Sequence, residues 1–262
     1  MPLRSALPKW YSNTLFGDRE KWGKTPNTKD PSWIEWVNRE PEIYRANQKA
    51  GVGSRVNNAG YRILGTIDLS GKTVLEIGPG ELTHTNQWVG IPERYILVDQ
   101  SQDFLTSAEA TLRPMHIAVE SHLVSRHGPA LSDIREKSVD IVLSFANLEH
   151  LHPLEDHLNE ITRVLKPNGL LAGAIPSEGG LAWGVGRYLT SRRWFEKNTN
   201  IDLYKLICWE HPNFADEILA CIAGSFEFER RAYWPTRVPS IDANLVISFV
   251  CRLRERTGTR YS

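Results

Sequence analysis

The run Thr73-Val-Leu-Glu-Ile-Gly-Pro-Gly-Glu81 constrains this chain more than any other stretch. Five residues of mostly apolar, β-branched character read as a buried strand, and Gly78-Pro-Gly80 then breaks it. Glycine at 78 and 80 lets backbone approach a ligand with no Cβ in the way. Thr83 is expected to open a helix-like segment behind the loop. A strand running into such a loop belongs in a doubly wound parallel sheet, whose ligand crevice lies at the carboxyl ends of its strands.

From Gly71 onward the sequence keeps the rhythm such a sheet requires. Strands are predicted at Thr73–Ile77, Tyr95–Val98, His116–Val119, Val139–Ser144, Leu170–Ile175, Phe226–Tyr233 and Leu245–Leu253. Leu154, Leu158, Ile161, Val164 and Leu165 form one helical stripe. Lys166-Pro-Asn-Gly169 then stops that helix and turns the chain. The last two strands have no helical pattern between them, which predicts a C-terminal antiparallel hairpin joined by an Asn/Pro-containing loop. The predicted fold class is therefore α/β: Rossmann-like, doubly wound, with a mostly parallel seven-stranded sheet.

Two regions lie outside that rhythm. Residues 1–68 hold four of the nine tryptophans, Trp10, Trp22, Trp33 and Trp36. They read as an N-terminal helical cap with short helices at Ser32–Asn38 and Pro41–Ala50, followed by a loose stretch from Gly51 to Asn58. Residues 69–262 form the main domain. Within it, 177–214 is an insertion after strand five, rich in Trp, Tyr and Arg; long segments of this kind are usually lids or binding loops. It is expected to bind the molecule the chain acts on.

Composition narrows the partners. Lys plus Arg and Asp plus Glu number 31 each, for a formal net charge of +0. That balance argues against a nucleic-acid partner, which calls for a basic surplus. Cys208, Cys221 and Cys251 are odd in number and widely spaced, so neither a disulfide framework nor a zinc site is expected. No run approaches the roughly 18 apolar residues of a membrane span, and no charged leader precedes an apolar core. These features predict a cytoplasmic protein without an integral membrane segment.

The loop chemistry separates two ligands. Dinucleotide folds want GxGxxG and a helix N-terminus for the pyrophosphate. Here the stretch is Gly78-Pro-Gly-Glu-Leu-Thr83, with a carboxylate, Glu81, facing any phosphate. A sulfonium cofactor has no phosphate and a cationic methionine end, which suits acidic Glu76. Asp99 ends Tyr95-Ile-Leu-Val-Asp99, 23 residues beyond Glu76, where a carboxylate can accept both ribose hydroxyls. Val139-Asp-Ile-Val-Leu-Ser-Phe-Ala-Asn-Leu-Glu-His150 and Val164-Leu-Lys-Pro-Asn-Gly-Leu-Leu171 follow in order.

Together these four motifs resemble the class I methyltransferases that bind S-adenosylmethionine. The likeness is strongest to the branch whose fourth strand runs into a Leu-Glu-His turn, here Leu148-Glu149-His150. That branch includes enzymes acting on quinone precursors, sugars and surface polysaccharides. The resemblance spans about Gly71 to Gly173. It implies that Glu76, Gly78, Pro79 and Gly80 surround the methionine end and that Asp99, followed by Gln100, takes the ribose. Ser144 and Phe145 would line the cofactor after strand four. The acidic residue that the family places near the end of strand three has two candidates, Glu120 and Asp133.

Methyl transfer from a sulfonium is an in-line displacement, and a hydroxyl acceptor benefits from a base, most often histidine. His150, just past strand four, and His211, in the insertion, are the candidates for that base, with His152 behind them. A neutral imidazole with its ordinary pKa of roughly 6.5 predicts activity rising from about pH 6 to 7.5. His84 reads as structural. Arg187, Arg192 and Arg193 suit either an acidic acceptor or a solvated charge run, and Trp183, Tyr188 and Trp194 either stack on a ring or pack on one another. No close carboxylate cluster calls for a metal. The expected activity is O-methylation of a sugar or glycan, because the insertion carrying Gly186-Arg-Tyr-Leu-Thr190 and Trp209-Glu-His211 resembles that of surface-polysaccharide methyltransferases. Aromatic or quinone-like small molecules and a non-catalytic cofactor-binding subunit are the alternatives.

Overall fold

The computed structural model describes residues 2–49, 51–125 and 131–254. Seven strands make one sheet: β1 (Thr73–Ile77), β2 (Arg94–Asp99), β3 (Ala118–Leu123), β4 (Val139–Phe145), β5 (Leu165–Pro176), β6 (Phe226–Trp234) and β7 (Val246–Leu253). Their spatial order is β3-β2-β1-β4-β5-β7-β6. The first five pair in parallel, and β7 lies antiparallel between β5 and β6. The chain leaves β1 towards β2 and β3, then returns to place β4 on the other side of β1. That reversal puts a crevice at the carboxyl ends of β1 and β4, the usual ligand position in such sheets.

Alternation along the strands sends side chains to two separate cores. Leu75, Ile77, Val142, Leu171 and Phe249 pack with α6 (Leu154–Val164) and α10 (Ala215–Ser225). Val74, Leu97, Leu143, Ala172 and Val250 pack on the opposite face with α5 (Gln102–Leu112) and the turn around Ile63 and Leu64. The α6 stripe is the one its sequence spacing calls for, since Leu154, Leu158, Ile161 and Val164 are all buried.

A third core joins the two regions outside the sheet's rhythm. Trp33, Trp36 and Ile43 of α3 (Pro31–Lys49) meet Phe195 of α8 (Ser191–Asn198) and Leu206, Cys208 and Trp209 of α9 (Leu203–Glu210). Trp33 and Trp209 stand edge-to-face at 6.2 Å. The short helices α1 (Lys9–Phe16) and α2 (Arg19–Trp22) pack on α9 as well, and α1 also on α7 (Leu181–Leu189). Cap and insertion thus share one apolar interior.

Several local expectations differ from the structure. The two cap helices are parts of α3, and the whole stretch expected to be loose, Gly51 to Asn58, is helical, as part of α4 (Gly51–Tyr61) packed on β5 and β7; Ala50 lies outside the described residues. Residues 177–214 hold three helices, α7 to α9, where apolar residues at helical spacing were masked by the density of Trp and Arg. Strand three starts two residues late because the chain makes a 3-10 turn at Arg113–Met115 and His116 takes φ 56°. Lys166-Pro-Asn-Gly169 stops α6 but stays within β5, with the register shift between Val139 and Ile141 and φ 62° at Asn168 absorbing the extra length.

Candidate functional site

The glycine loop is tied to the next strand. Gly78 has φ 69° and Gly80 φ 55°, and the Gly78 N–H donates to the Val98 carbonyl at 2.8 Å. A Cβ on Gly78 would lie 2.8 Å from Oδ1 of Asn147, so the loop's floor is pressed against the turn that follows β4. Pro79 is buried and its carbonyl accepts from Leu82 at 3.0 Å. No α-helix follows. A 3-10 turn at Thr85–Gln87 stands where a helix from Thr83 was expected, so the loop has no helix N-terminus to offer a phosphate. The missing helical stripe between Glu81 and Val89 was the sequence signal.

Glu76 lies beneath the loop, 1% exposed. One of its oxygens is hydrogen-bonded by Nε2 of His84 at 2.8 Å and the other accepts the Tyr95 hydroxyl at 2.5 Å. His84 is therefore structural, as its position suggested. Asp99 ends β2 and accepts the Ser101 N–H at 2.8 Å. Burial pushes its carboxyl up, opposed by hydrogen bonds from the N–H groups of Ser101, Gly80 and Gln100. The Gln100 side chain is exposed.

Across the crevice, β4 ends in Ser144 and Phe145. Phe145 packs against Tyr61 of α4 at 5.1 Å and His84 at 5.2 Å, so α4 meets the end of β4 and the segment after the glycine loop. Ser144 Oγ, Asn147 Nδ2, Glu149 Oε2 and Ser177 Oγ are buried and without a hydrogen-bond partner. Buried polar atoms normally have partners, so unsatisfied ones gathered at the carboxyl ends of β4 and β5 suggest a polar ligand.

The two candidate histidines meet. The rings of His150 and His211 stand edge-to-face with centroids 4.7 Å apart. His150 Nδ1 donates to the Glu210 backbone carbonyl at 2.7 Å and lies 3.3 Å from that residue's carboxylate. Burial opposes its charge, but Glu210 and Glu149 outweigh burial and raise its pKa to about 9. Its titration is therefore moved out of the pH 6 to 7.5 window expected of an ordinary imidazole. His211 Nδ1 contacts Glu178 Oε2 at 2.8 Å. Glu178 is wholly buried and also accepts from Trp183 Nε1 at 2.8 Å and from Arg187 at 2.7 Å.

Two of the insertion's arginines, Arg187 and Arg192, have internal partners. Arg187 joins Glu178 to the Leu15 carbonyl. Arg192 pairs with Glu196 and the Tyr204 hydroxyl. Glu120 sits mid-strand, engaged by Arg94 and His122, whereas Asp133 is exposed. Among the described residues no three His, Cys, Asp or Glu side chains are grouped to hold a metal ion, and no helix is long and apolar enough to cross a membrane.

Sequence reasoning missed Glu178, Asn147 and Tyr61. Glu178 was findable: it is a carboxylate just past the carboxyl end of a buried strand, the same signal that singled out Asp99. Asn147 and Tyr61 become visible only once the β4 turn and α4 are placed.

Residues 75–173 match the profile of a family described as Methyltransferase domain. Comparison with curated proteins finds no match by sequence. Among solved structures, a protein from Listeria monocytogenes assigned as an S-adenosylmethionine-dependent methyltransferase is 15% identical, with TM-score 0.51 over 76% of this chain and 100% of its own. The CurJ carbon methyltransferase is 14% identical with TM-score 0.58, over 96% of this chain and 70% of its own. A protein from Bacillus halodurans assigned as a methyltransferase is 15% identical with TM-score 0.52, over 73% of this chain and 96% of its own. At these identities the likeness is one of fold.

Proposed function

We propose that this chain, which carries a class I methyltransferase domain with its family match at residues 75–173, transfers a methyl group from S-adenosylmethionine to a hydroxyl of a sugar or glycan. The observation that carries the hydroxyl reading is the pair of imidazoles, His150 and His211, 4.7 Å apart just past the carboxyl end of β4. A hydroxyl is a weak nucleophile, and a positioned base is what separates its methylation from that of an already nucleophilic sulfur or nitrogen.

The residues at the crevice suit the cofactor. Asp99 is a buried carboxylate placed to accept ribose hydroxyls, and its backbone hydrogen bonds hold it in place. Gly78, Pro79 and Gly80 line the methionine end, with Glu76 beneath them supplying negative charge. Ser144 and Asn147 bring unpartnered polar atoms from the other side, and Phe145 with Tyr61 supplies an apolar wall. When bound, S-adenosylmethionine supplies an activated methyl group: as the acceptor oxygen bonds to that carbon, the carbon–sulfur bond breaks and its electron pair stays on sulfur as a thioether. The hydroxyl proton goes to a histidine of the pair. Around them, Glu149 and Glu210 place carboxyl groups beside His150, while the shared core of cap and insertion orders the lid and excludes water.

A sugar or glycan acceptor fits a lid built from carboxylates and imidazoles, and the likeness of the insertion to those of surface-polysaccharide methyltransferases points the same way. The balanced charge favours such an acceptor over nucleic acid. The test is a screen of glycans, sugar nucleotides and quinone precursors with isotopically labelled cofactor, reading the methylated atom by mass spectrometry and NMR. Label on a sugar oxygen supports the proposal. Label only on an aromatic or quinone-like acceptor, or on carbon or nitrogen, replaces it.

A further inference from the structure

We infer that Glu178 holds His211 in its Nδ1–H tautomer and so makes Nε2 of His211 the atom that takes the acceptor's proton. This rests on the hydroxyl-methylation reading above and assigns roles within it. The tautomer follows from the partners of Glu178. Its Oε2 receives Trp183 Nε1 at 2.8 Å, Arg187 Nη1 at 2.7 Å and His211 Nδ1 at 2.8 Å, and its Oε1 also receives Arg187 at 2.8 Å. Indole and guanidinium nitrogens only donate, so the carboxylate is the acceptor throughout. Burial works against its charge, but Arg187, His211 and Arg19 hold its carboxyl well below the usual range, leaving no proton to donate. Nδ1 of His211 must then carry the hydrogen, and the neutral ring keeps its lone pair on Nε2.

The backbone is fixed as well. The His211 carbonyl accepts from Arg19 Nη2 at 2.6 Å and its N–H donates to Ile207 at 3.2 Å. A ring held at Nδ1 by a buried carboxylate, with Nε2 left as the base, is the orientation that serves serine hydrolases. His150 cannot play that part at neutral pH: with its pKa raised to about 9 by Glu210 and Glu149 against burial, it is a cation without a lone pair. It stands beside the base as a fixed positive charge. Glu178 touches neither acceptor nor cofactor by this account and is a positioning residue.

The test begins on the full chain labelled with ¹⁵N-histidine, recording multiple-bond ¹⁵N–¹H correlations at neutral pH. The expected wild-type spectrum shows His211 protonated on Nδ1 alone or, where both nitrogens are protonated, releasing the Nε2 proton first as pH rises. In Glu178→Ala the ring should move towards the Nε2–H form that histidine favours in water. With an acceptor that the wild type methylates, Glu178→Ala and His211→Ala should lower kcat by about 10²-fold or more while cofactor KM stays within a few-fold. A wild-type His211 protonated on Nε2 alone, or a spectrum that Glu178→Ala leaves unchanged, overturns the tautomer; should that variant fail to fold, the wild-type spectrum decides alone. A wild type that methylates no hydroxyl overturns the base role and the functional reading together, yet leaves the tautomer standing on its own spectrum.

Discussion

The indole N–H of Trp88 donates to Nδ1 of His84 at 3.1 Å, and this one bond decides the state of the ring. An indole nitrogen only donates, so Nδ1 holds a lone pair and Nε2 carries the hydrogen given to Glu76. Trp88 also stacks on Tyr95, whose hydroxyl takes the other oxygen of Glu76. A relay of four side chains thus supports the glycine loop from below, in place of the helix that would otherwise follow it.

Breaking that relay should weaken the fold. His84→Ala leaves a buried carboxylate oxygen and an indole N–H without partners, a loss of roughly 1–3 kcal/mol for each unsatisfied group. Urea denaturation should show a lower midpoint with the slope unchanged. A midpoint equal to that of wild type would mean that water replaces the ring without cost.

Gly78→Val should abolish cofactor binding. The backbone at φ 69° disfavours any side chain, and the new Cβ would meet Asn147 Oδ1 at 2.8 Å. A branched residue forces the β4 turn away from the crevice. Equilibrium dialysis with labelled S-adenosylmethionine checks this, and wild-type affinity in the variant would show that the cofactor does not use this loop.

Asp99→Ala removes a charge-assisted acceptor worth roughly 1.5–3 kcal/mol. Cofactor binding should weaken by about tenfold to a hundredfold while the circular dichroism spectrum is retained. Unchanged affinity would place the ribose elsewhere.

How much of this was legible beforehand divides along physical lines. Thr73–Ile77, the α6 stripe and the terminal hairpin were readable because local periodicity and burial agree in them. The positions of Gly78 and Asp99 at the carboxyl ends of β1 and β2 were readable because strand and loop alternate regularly there. The cap and insertion were not, since Trp33 and Trp209 lie 176 residues apart in sequence and only tertiary packing brings them together. Nor could the sequence show that His150 has two carboxylates beside it; Glu210 arrives from α9, 60 residues on.

His150 should leave a signature in stability against pH. Its folded pKa of about 9 lies above the ordinary 6.5, so the folded state binds the extra proton. The resulting stabilisation is fully present below about pH 6.5 and is lost as pH rises through about 9. Urea midpoints should fall over that window in the wild type and fall less in His150→Gln. Parallel profiles for the two proteins would show that the ring titrates as it does in water.

Trp209→Ala should loosen the packing of α9 on α3. Removing a large buried aromatic costs roughly 3–5 kcal/mol, and this one bridges α3 and α9. Cofactor affinity should stay within a few-fold because Gly78, Asp99 and Ser144 lie at the ends of β1, β2 and β4, outside that aromatic core. A simultaneous loss of cofactor binding would show that this aromatic core and the crevice fold as one unit.

The most direct test of the central claim is calorimetric titration of the purified chain with S-adenosylhomocysteine and, separately, with NAD. A loop that combines Gly78 and Gly80 with no following helix, and ends beside Asp99, predicts saturable one-to-one binding of the first and no measurable binding of the second. Tight NAD binding, or no heat with either ligand from folded protein, would contradict it.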